Sequence, residues 1–155
     1  MLASSRSSLV CLLALAGACA PGPSAGVAGP AAAAERASIA FGQDTLLVEV
    51  ASTEATRARG LMGRSSIPDS SGMLFVFPEA AVQGVWMRDT PVPLDAAFID
   101  ADYRISSIVG LEPFDETVRY SDAPILYVLE VTRGWFARHG VEVGDVATVR
   151  FLPPL

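Results

Sequence analysis

The sequence contains no lysine, a single histidine (His139) and only two cysteines, Cys11 and Cys19. Beyond Cys19 there is therefore no thiol nucleophile, no disulfide and no cysteine-based metal site. One histidine cannot form the histidine cluster of common zinc sites. Every basic side chain except His139 is arginine, and the formal net charge is -6. This acidic balance argues against a nucleic-acid partner, which requires a positive surface.

Residues 1–19 have the features of an export signal. Arg6 supplies positive charge, and a short apolar segment follows that lacks the roughly 20 residues of a membrane-spanning helix. The segment ends in LAGAC, which resembles a bacterial lipoprotein signal whose cysteine becomes the lipidated N-terminus. The usual pattern has leucine three positions before the cysteine, where this chain has Ala16, so ordinary signal-peptidase cleavage is the alternative. We predict a lipid at Cys19 that anchors the protein to a membrane.

Residues 20–37 are dominated by proline, glycine and alanine. Such a segment has too few large apolar side chains to offset the entropy of ordering, and it predicts a flexible tether. The folded domain is then expected over residues 38–155. The whole arrangement predicts an exported, membrane-anchored protein facing the periplasm or exterior, with a soluble secreted or periplasmic protein as the alternative.

Short apolar segments separated by turn residues follow along the domain and predict β-strands. The predicted strands cover residues 39–50, 73–77, 85–87, 94–100, 104–111, 125–132 and 146–152. Two short helices are expected at 53–61 and 134–139, the first with Ser52 or Thr53 as its N-cap. Six to eight short strands without βαβ alternation predict a mainly β fold, an antiparallel barrel or sandwich with two short helices.

Three carboxylates lie within otherwise apolar segments, namely Asp89, Asp95 and Glu130. Burying a carboxylate is costly unless it is paired or hydrogen-bonded. Arg59 and Arg64 are the expected partners, because guanidinium binds carboxylate with two hydrogen bonds.

These charges have a functional and a structural interpretation. In the functional one they line a pocket for a small polar or sugar-like ligand. Trp86 is then the stacking platform, Arg64 a donor, and the carboxylates acceptors. The predicted ligand-binding residues are Arg64, Trp86, Asp89, Thr90, Asp95 and Glu130. In the structural interpretation the same charges form a buried ion-pair network that fixes strand register, and the domain binds no ligand.

A carbohydrate-active hydrolase is a further alternative, because two carboxylates about 5–9.5 Å apart can cleave glycosidic bonds. The candidate pairs are Asp95 with Glu130, or Asp89 with Asp95. Nearby arginines would lower a carboxyl pKa, which suits a nucleophile but not a general acid. We therefore expect no enzymatic activity and name no catalytic residue.

Metal and histidine chemistry have weaker support. His139 lies near a predicted helix end, where a surface histidine is favourable without catalysis. The acidic positions match no Ca²⁺ loop, which favours a solvated face. These positions are Asp100, Asp102, Glu112, Asp115 and Glu116. Thioethers of Met62, Met73 and Met87 would suit Cu(I), although methionine between Leu and Phe usually fills a core. We expect no metal and no cofactor.

Several short motifs occur together in the domain. They are GLMGR (60–64), GMLFVF (72–77), WMRDT (86–90), PLDAAFID (93–100), YVLEV (127–131) and GVEVGD (140–145). In this order and spacing they resemble the DUF192 family over residues 46–149. The resemblance implies an all-β, jelly-roll-like barrel, often behind a signal peptide or lipoprotein signal, with no agreed activity. The tryptophan motif of the family commonly has Asn where this chain has Asp89.

Together these patterns predict a non-enzymatic, extracytoplasmic binding or accessory module of the bacterial cell envelope.

Overall fold

The computed structural model describes residues 35–153, in which there are nine strands and two helices. In chain order these are β1 Arg36–Phe41, β2 Asp44–Ala51, α1 Glu54–Arg59, β3 Ser71–Ala81, β4 Gly84–Val85, β5 Leu94–Ile99, β6 Ile105–Leu111, β7 Arg119–Tyr120, β8 Ile125–Thr132, α2 Trp135–Arg138 and β9 Thr148–Leu152. The predicted signal with Cys19, and the tether as far as residue 34, lie outside the described residues. Within the described part, neither helix has the length and apolar composition needed to cross a membrane.

The first two strands form a hairpin where the sequence predicted one strand over 39–50. Phe41 pairs with Asp44 across the two residues Gly42 and Gln43. Gly42 has φ 59, a left-handed conformation that glycine adopts without steric cost. The prediction missed this turn because the apolar alternation resumes directly after it, at Leu46.

Seven strands form one sheet in the order β6-β5-β8-β3-β2-β1-β9, and β4 pairs with β7 separately. All neighbours in the large sheet are antiparallel except β2 and β3, which are parallel. A parallel pair requires a long crossover, and the chain through α1 provides it.

The predicted antiparallel barrel is therefore wrong, since the sheet is mixed and is not closed, and the alternative of a sandwich is not confirmed. Among residues 35–153, one isolated antiparallel bridge, Arg104 to Val146, links the segments that precede the edge strands β6 and β9 and lies outside both strands. Closure would need a continuous ladder with matched strand tilt and stagger. The mainly β class and the two short helices are confirmed.

Both faces of the sheet carry buried apolar side chains, because successive residues of a strand point to opposite faces. On the first face, Leu74 and Leu129 pack in a cluster with Trp135 and Phe136 of α2. On the second face, the cluster includes Met73, Phe75, Phe98, Val128 and, from just beyond α1, Leu61. The helix α2 thus covers the first face, and the segment just beyond α1 covers the second.

The helix α1 begins with a capping box at Thr53, one of the two N-cap residues that the sequence predicted. The Thr53 hydroxyl accepts from the Thr56 backbone N–H at 3.1 Å, and Thr56 Oγ1 accepts from the Thr53 N–H at 3.0 Å. These contacts satisfy N–H groups that a helix start leaves without intrahelical partners.

Thr53→Ala should lower the free energy of unfolding by about 1 kcal/mol, because it removes the cap oxygen. Urea unfolding followed by circular dichroism measures this change. Thr53→Ser keeps the hydroxyl and should stay close to the wild type. Equal stability of the Ala and Ser variants would show that the cap contributes nothing.

Candidate functional site

A cavity of about 110 Å³ lies between the C-terminal end of α1 and the second face of the sheet. Its walls come from the chain that ends α1, from β3, from the segment around β4, and from β8. Phe75 and Phe77 of β3 line it together with Trp86, Thr90 and Glu130. The aromatic and carboxyl groups therefore converge on one small space.

Glu130 holds the position on β8 that faces this cavity. It is in register with Met73 of β3 and Ala96 of β5, whose side chains belong to the second-face cluster. β3 and β8 approach closely beside it, because a Cβ at Gly72 would collide with the carbonyl oxygen of Glu130. Only glycine at position 72 permits this spacing.

The carboxyl group of Glu130 is buried and has no partner within residues 35–153. The residue is 5% exposed, and burial raises the pKa of its carboxyl to about 8. Burial is the cause of this shift. A buried ionisable group without a charge partner, facing a cavity, is a typical mark of a functional site.

Aromatic rings form the walls, and two of them already contact arginine. The Arg57 guanidinium lies 5.4 Å from the centroid of the Phe77 ring, and that of Arg88 lies 4.1 Å from the Trp86 ring. Trp86 is 41% exposed, so its indole borders both the cavity and solvent.

The arginines at the rim are positioned differently. Arg57 Nη1 donates to the carbonyl oxygens of Ser52 at 2.6 Å and Val76 at 3.0 Å, which fixes this side chain over β3. Arg88 pairs with Glu116 at 3.3 Å. Arg59 lines the cavity without an ion pair to any of residues 35–153.

Thr90 lies at the cavity wall, as predicted, but its polar groups are already satisfied. Its hydroxyl donates to the Arg88 carbonyl at 3.1 Å, and its N–H donates to the Met87 carbonyl at 3.1 Å. Thr90 therefore closes the turn that positions Trp86, and its side chain contributes shape more than hydrogen bonding.

Asp89 is exposed and does not line the cavity. Its φ is 51, and its carbonyl accepts from the Gly63 N–H at 2.8 Å. Asp and Asn both tolerate this left-handed conformation better than other non-glycine residues. An aspartate is thus compatible with the backbone at this position.

Asp95 lies on the first face, away from the cavity. It is in register with Val131, a member of the first-face cluster. Its carboxylate lies 3.1 Å from Arg133 Nε and accepts from the Gly134 N–H at 2.7 Å. The predicted partners Arg59 and Arg64 were wrong for this residue, because sequence proximity does not show which face a side chain occupies.

Arg64 also lies outside the cavity. It forms a bidentate pair with Glu49 of β2, with N–O distances of 2.5 and 2.7 Å. This hydrogen bonding lowers the pKa of Glu49 and raises that of Arg64. Arg64 therefore ties the crossover after α1 to the sheet.

The structure thus brings together three of the six predicted residues, Trp86, Thr90 and Glu130. Sequence reasoning missed Phe75, Phe77 and Arg57 as lining residues, whereas Arg59 was named as a charge near the pocket. The period of two in β3 was the available signal, since it places positions 75 and 77 on one face. Whether this face is the one that carries Glu130 depends on the register between β3 and β8.

The histidine and the methionines considered for catalysis or metal binding contact other side chains of the domain. His139 Nδ1 lies 2.9 Å from Asp44 Oδ1, and its ring stacks on Trp135 at 4.3 Å. Within residues 35–153, no group of three or more His, Cys, Asp or Glu side chains could hold a metal ion. Met73 and Met87 are buried in the second-face cluster, whereas Met62 lines the cavity.

Four of the five acidic positions considered for Ca²⁺ contact other protein groups. Asp100 accepts from two backbone N–H groups at 2.9 Å, Asp115 from one at 2.9 Å, Glu112 pairs with Arg133 at 3.0 Å, and Glu116 with Arg88.

Comparison with known proteins places the chain in a family. Two crystal structures resemble it: a proposed transcription regulator from Sinorhizobium meliloti 1021 and a protein of unknown function from Novosphingobium aromaticivorans DSM 12444. The first is 35% identical with a TM-score of 0.72, covering 78% of this chain and 98% of that one. The second is 34% identical with a TM-score of 0.67, covering 73% and 83%.

A search of curated proteins gave no match. The model of the DUF192 family, described as "Uncharacterized ACR", matches residues 37–149, more than half of the sequence. The chain therefore belongs to the DUF192 family.

Proposed function

We propose that the domain is a non-enzymatic binding module that takes a small polar ligand into the cavity beside Glu130. The observation that carries this proposal is the buried Glu130 carboxyl, which faces the cavity without a partner among residues 35–153. A hydrogen bond to a charged group contributes about 1.5–3 kcal/mol. A ligand that donates to the Glu130 carboxylate would gain this contribution.

The shape and lining of the cavity support the same function. Ligand sites are concave and mostly apolar, with a few polar groups that fix orientation. Here Phe75, Phe77 and Trp86 supply apolar surface, and Glu130, Arg57 and Arg59 supply the charged groups. A volume of about 110 Å³ is below the roughly 150 Å³ of a cavity that holds benzene, so only a few non-hydrogen atoms fit inside.

The hydrolase alternative has less support, because its two carboxylates are not together. Glu130 is on the second face and Asp95 on the first. Glu130 is also the single carboxylate among the described residues that line this cavity. A two-carboxylate mechanism would lack its second group here.

A DNA-binding role, which the description of the Sinorhizobium protein would suggest, is disfavoured by charge. The net charge of -6 opposes contact with phosphates, and the chain has no lysine.

The location of the binding module is part of the proposal. The apolar segment of residues 1–19 and its terminal Cys19 support export and lipid attachment, and residues 20–37 would let the domain stand off the membrane. The ligand would then be one available in the periplasm or at the cell exterior.

A thermal-stability screen with small polar compounds tests the binding function. Glycerol, glucose, N-acetylglucosamine, acetate and ethylammonium are suitable probes. At least one should raise the melting temperature of the wild type, and Glu130→Gln should weaken its binding at least about tenfold, since a hydrogen bond to a charged group contributes about 1.5–3 kcal/mol.

Glu79→Gln is the matched control, because Glu79 is an exposed carboxylate on β3. It should bind like the wild type. A domain that no probe stabilises, or whose ligand binds Glu130→Gln equally well, would contradict the proposed site.

A further inference from the structure

The chemistry of the cavity also restricts the class of ligand, an inference that rests on the proposed function. We propose that the ligand presents a small ammonium group, which pairs with the Glu130 carboxylate and packs against the rings of Phe75, Phe77 and Trp86.

Glu130 has no opposite charge on the strand positions beside it. Its neighbours in register, Met73 and Ala96, carry no charge. The charged side chains that line the cavity with it are Arg57 and Arg59 of α1; Arg57 donates to the Ser52 and Val76 carbonyls, and neither arginine forms an ion pair with Glu130. Among residues 35–153 the ionised carboxylate is therefore without an ion-pair partner. An ammonium group supplies one, with three N–H donors.

The aromatic walls of the cavity also favour a cation. Aromatic faces attract cations within about 6 Å of the ring centroid. The contacts of Arg57 with Phe77 and of Arg88 with Trp86 show this attraction at two of the three rings. Phe75 is buried between Glu130 and the end of α1, where a Cβ at Gly60 would lie 3.3 Å from its ring. This ring adds a third aromatic surface near the carboxyl.

The small volume of the cavity limits the size of the group that binds beside Glu130. The cavity is smaller than one that holds benzene, so the group beside Glu130 must be compact. An alkylammonium head fits, whereas a planar guanidinium of the kind already held at the rim is larger. The rest of the ligand would extend past Trp86 toward solvent.

Ethylammonium, ethanol and acetate form a matched set of probes, since they are similar in size and differ in charge. Isothermal titration calorimetry between about pH 6 and pH 9 gives affinity and proton release together. Ethylammonium should bind, with an affinity that rises about tenfold per pH unit up to about pH 8 and then levels off, because the carboxyl must ionise first. One proton should be released per ammonium bound at the lower end of this range.

Two variants separate the site from general effects. Glu130→Gln should weaken ethylammonium binding at least tenfold and abolish its pH dependence, whereas Glu79→Gln should leave both unchanged. Trp86→Leu should weaken binding about threefold while keeping the pH dependence. Because Trp86 is half-exposed, this variant also tests the site if Glu130→Gln fails to fold.

The outcomes distinguish the two proposals. If ethanol or acetate binds through Glu130 and ethylammonium does not, the ammonium inference is wrong and the binding function stands. If ethylammonium binds without pH dependence and equally well to Glu130→Gln, the inference is also wrong. If neither these probes nor the wider panel bind, both proposals fail.

Discussion

The free energy of unfolding should fall by about 5 kcal/mol between pH 4.5 and about pH 8, because the folded state keeps a proton on Glu130 that the unfolded state loses. Burial raises the pKa of this carboxyl from 4.5 to about 8. In that interval the unfolded state binds fewer protons than the folded state, so stability decreases as the pH rises. Below the interval both states are protonated, and above it both are ionised. A loss of this size is a large part of the 5–15 kcal/mol typical of a folded domain.

Urea unfolding of the wild type and of Glu130→Gln over this pH range measures the effect. The variant cannot ionise at this position and should be nearly insensitive to pH between about 6 and 8. Glu79→Gln should keep the wild-type dependence. Parallel pH profiles for the wild type and Glu130→Gln would show that the Glu130 carboxyl is solvated or paired in the folded state.

Other carboxylates do not obscure this result. Hydrogen bonds to Arg64, Arg138 and the Thr117 side chain lower the pKa values of Glu49, Asp69 and Asp115, respectively. A group with a lowered pKa stabilises the folded state above its unfolded pKa, and this contribution is lost as the pH falls. Their effect is therefore confined to acid conditions and has the opposite sign.

Asp95→Ala should lower the free energy of unfolding by about 2 kcal/mol, because it removes the part-buried pair with Arg133 and leaves the Gly134 N–H without its acceptor. Asp95 is 9% exposed and contacts both Arg133 Nε and the Gly134 N–H. Arg133 also donates to the Leu94 carbonyl at 3.0 Å and to Glu112, and its Nη2 is already buried without a partner. Asp95 thus holds the chain between β8 and α2 against β5.

Asp95→Asn is the appropriate comparison. It retains an acceptor for the Gly134 N–H and should cost about half as much as Asp95→Ala. Both variants should bind the ligand as the wild type does, since Asp95 lies on the other face of the sheet. A change within about 0.5 kcal/mol in Asp95→Ala would contradict the structural role, and loss of ligand binding at full stability would contradict the assignment to the first face.

Local features of the fold were predictable from the sequence. Thr53 and Glu54 predict the start of α1, and the apolar segments around Leu74, Phe98 and Val128 form strands as expected. These features depend on residues close in sequence. The parallel pairing of β2 with β3 depends on how the crossover packs, which no local pattern determines, so an open mixed sheet was mistaken for an antiparallel barrel.

The site was predictable only in part, for the same reason. Glu130 was identifiable as a carboxylate within an apolar strand. Its separation from Asp95 could not be predicted. A period of two shows which residues of one strand share a face, but it does not show which faces of two different strands lie on the same side of the sheet. The pairing of Arg64 with Glu49 and of Asp95 with Arg133 joins segments far apart in sequence, and electrostatic complementarity alone allowed several other pairings.

The crossover between β2 and β3 has a consequence for access to the cavity. The floor, including Phe75 and Glu130, belongs to the central strands of the sheet, whereas α1 and the turn after it form the opposite wall. α1 has six residues, none of them buried. Such a segment opens locally at far lower free energy than central strands do. Local opening of α1 and the turn after it would therefore widen the way past Trp86 for entry and release, while the sheet stays paired.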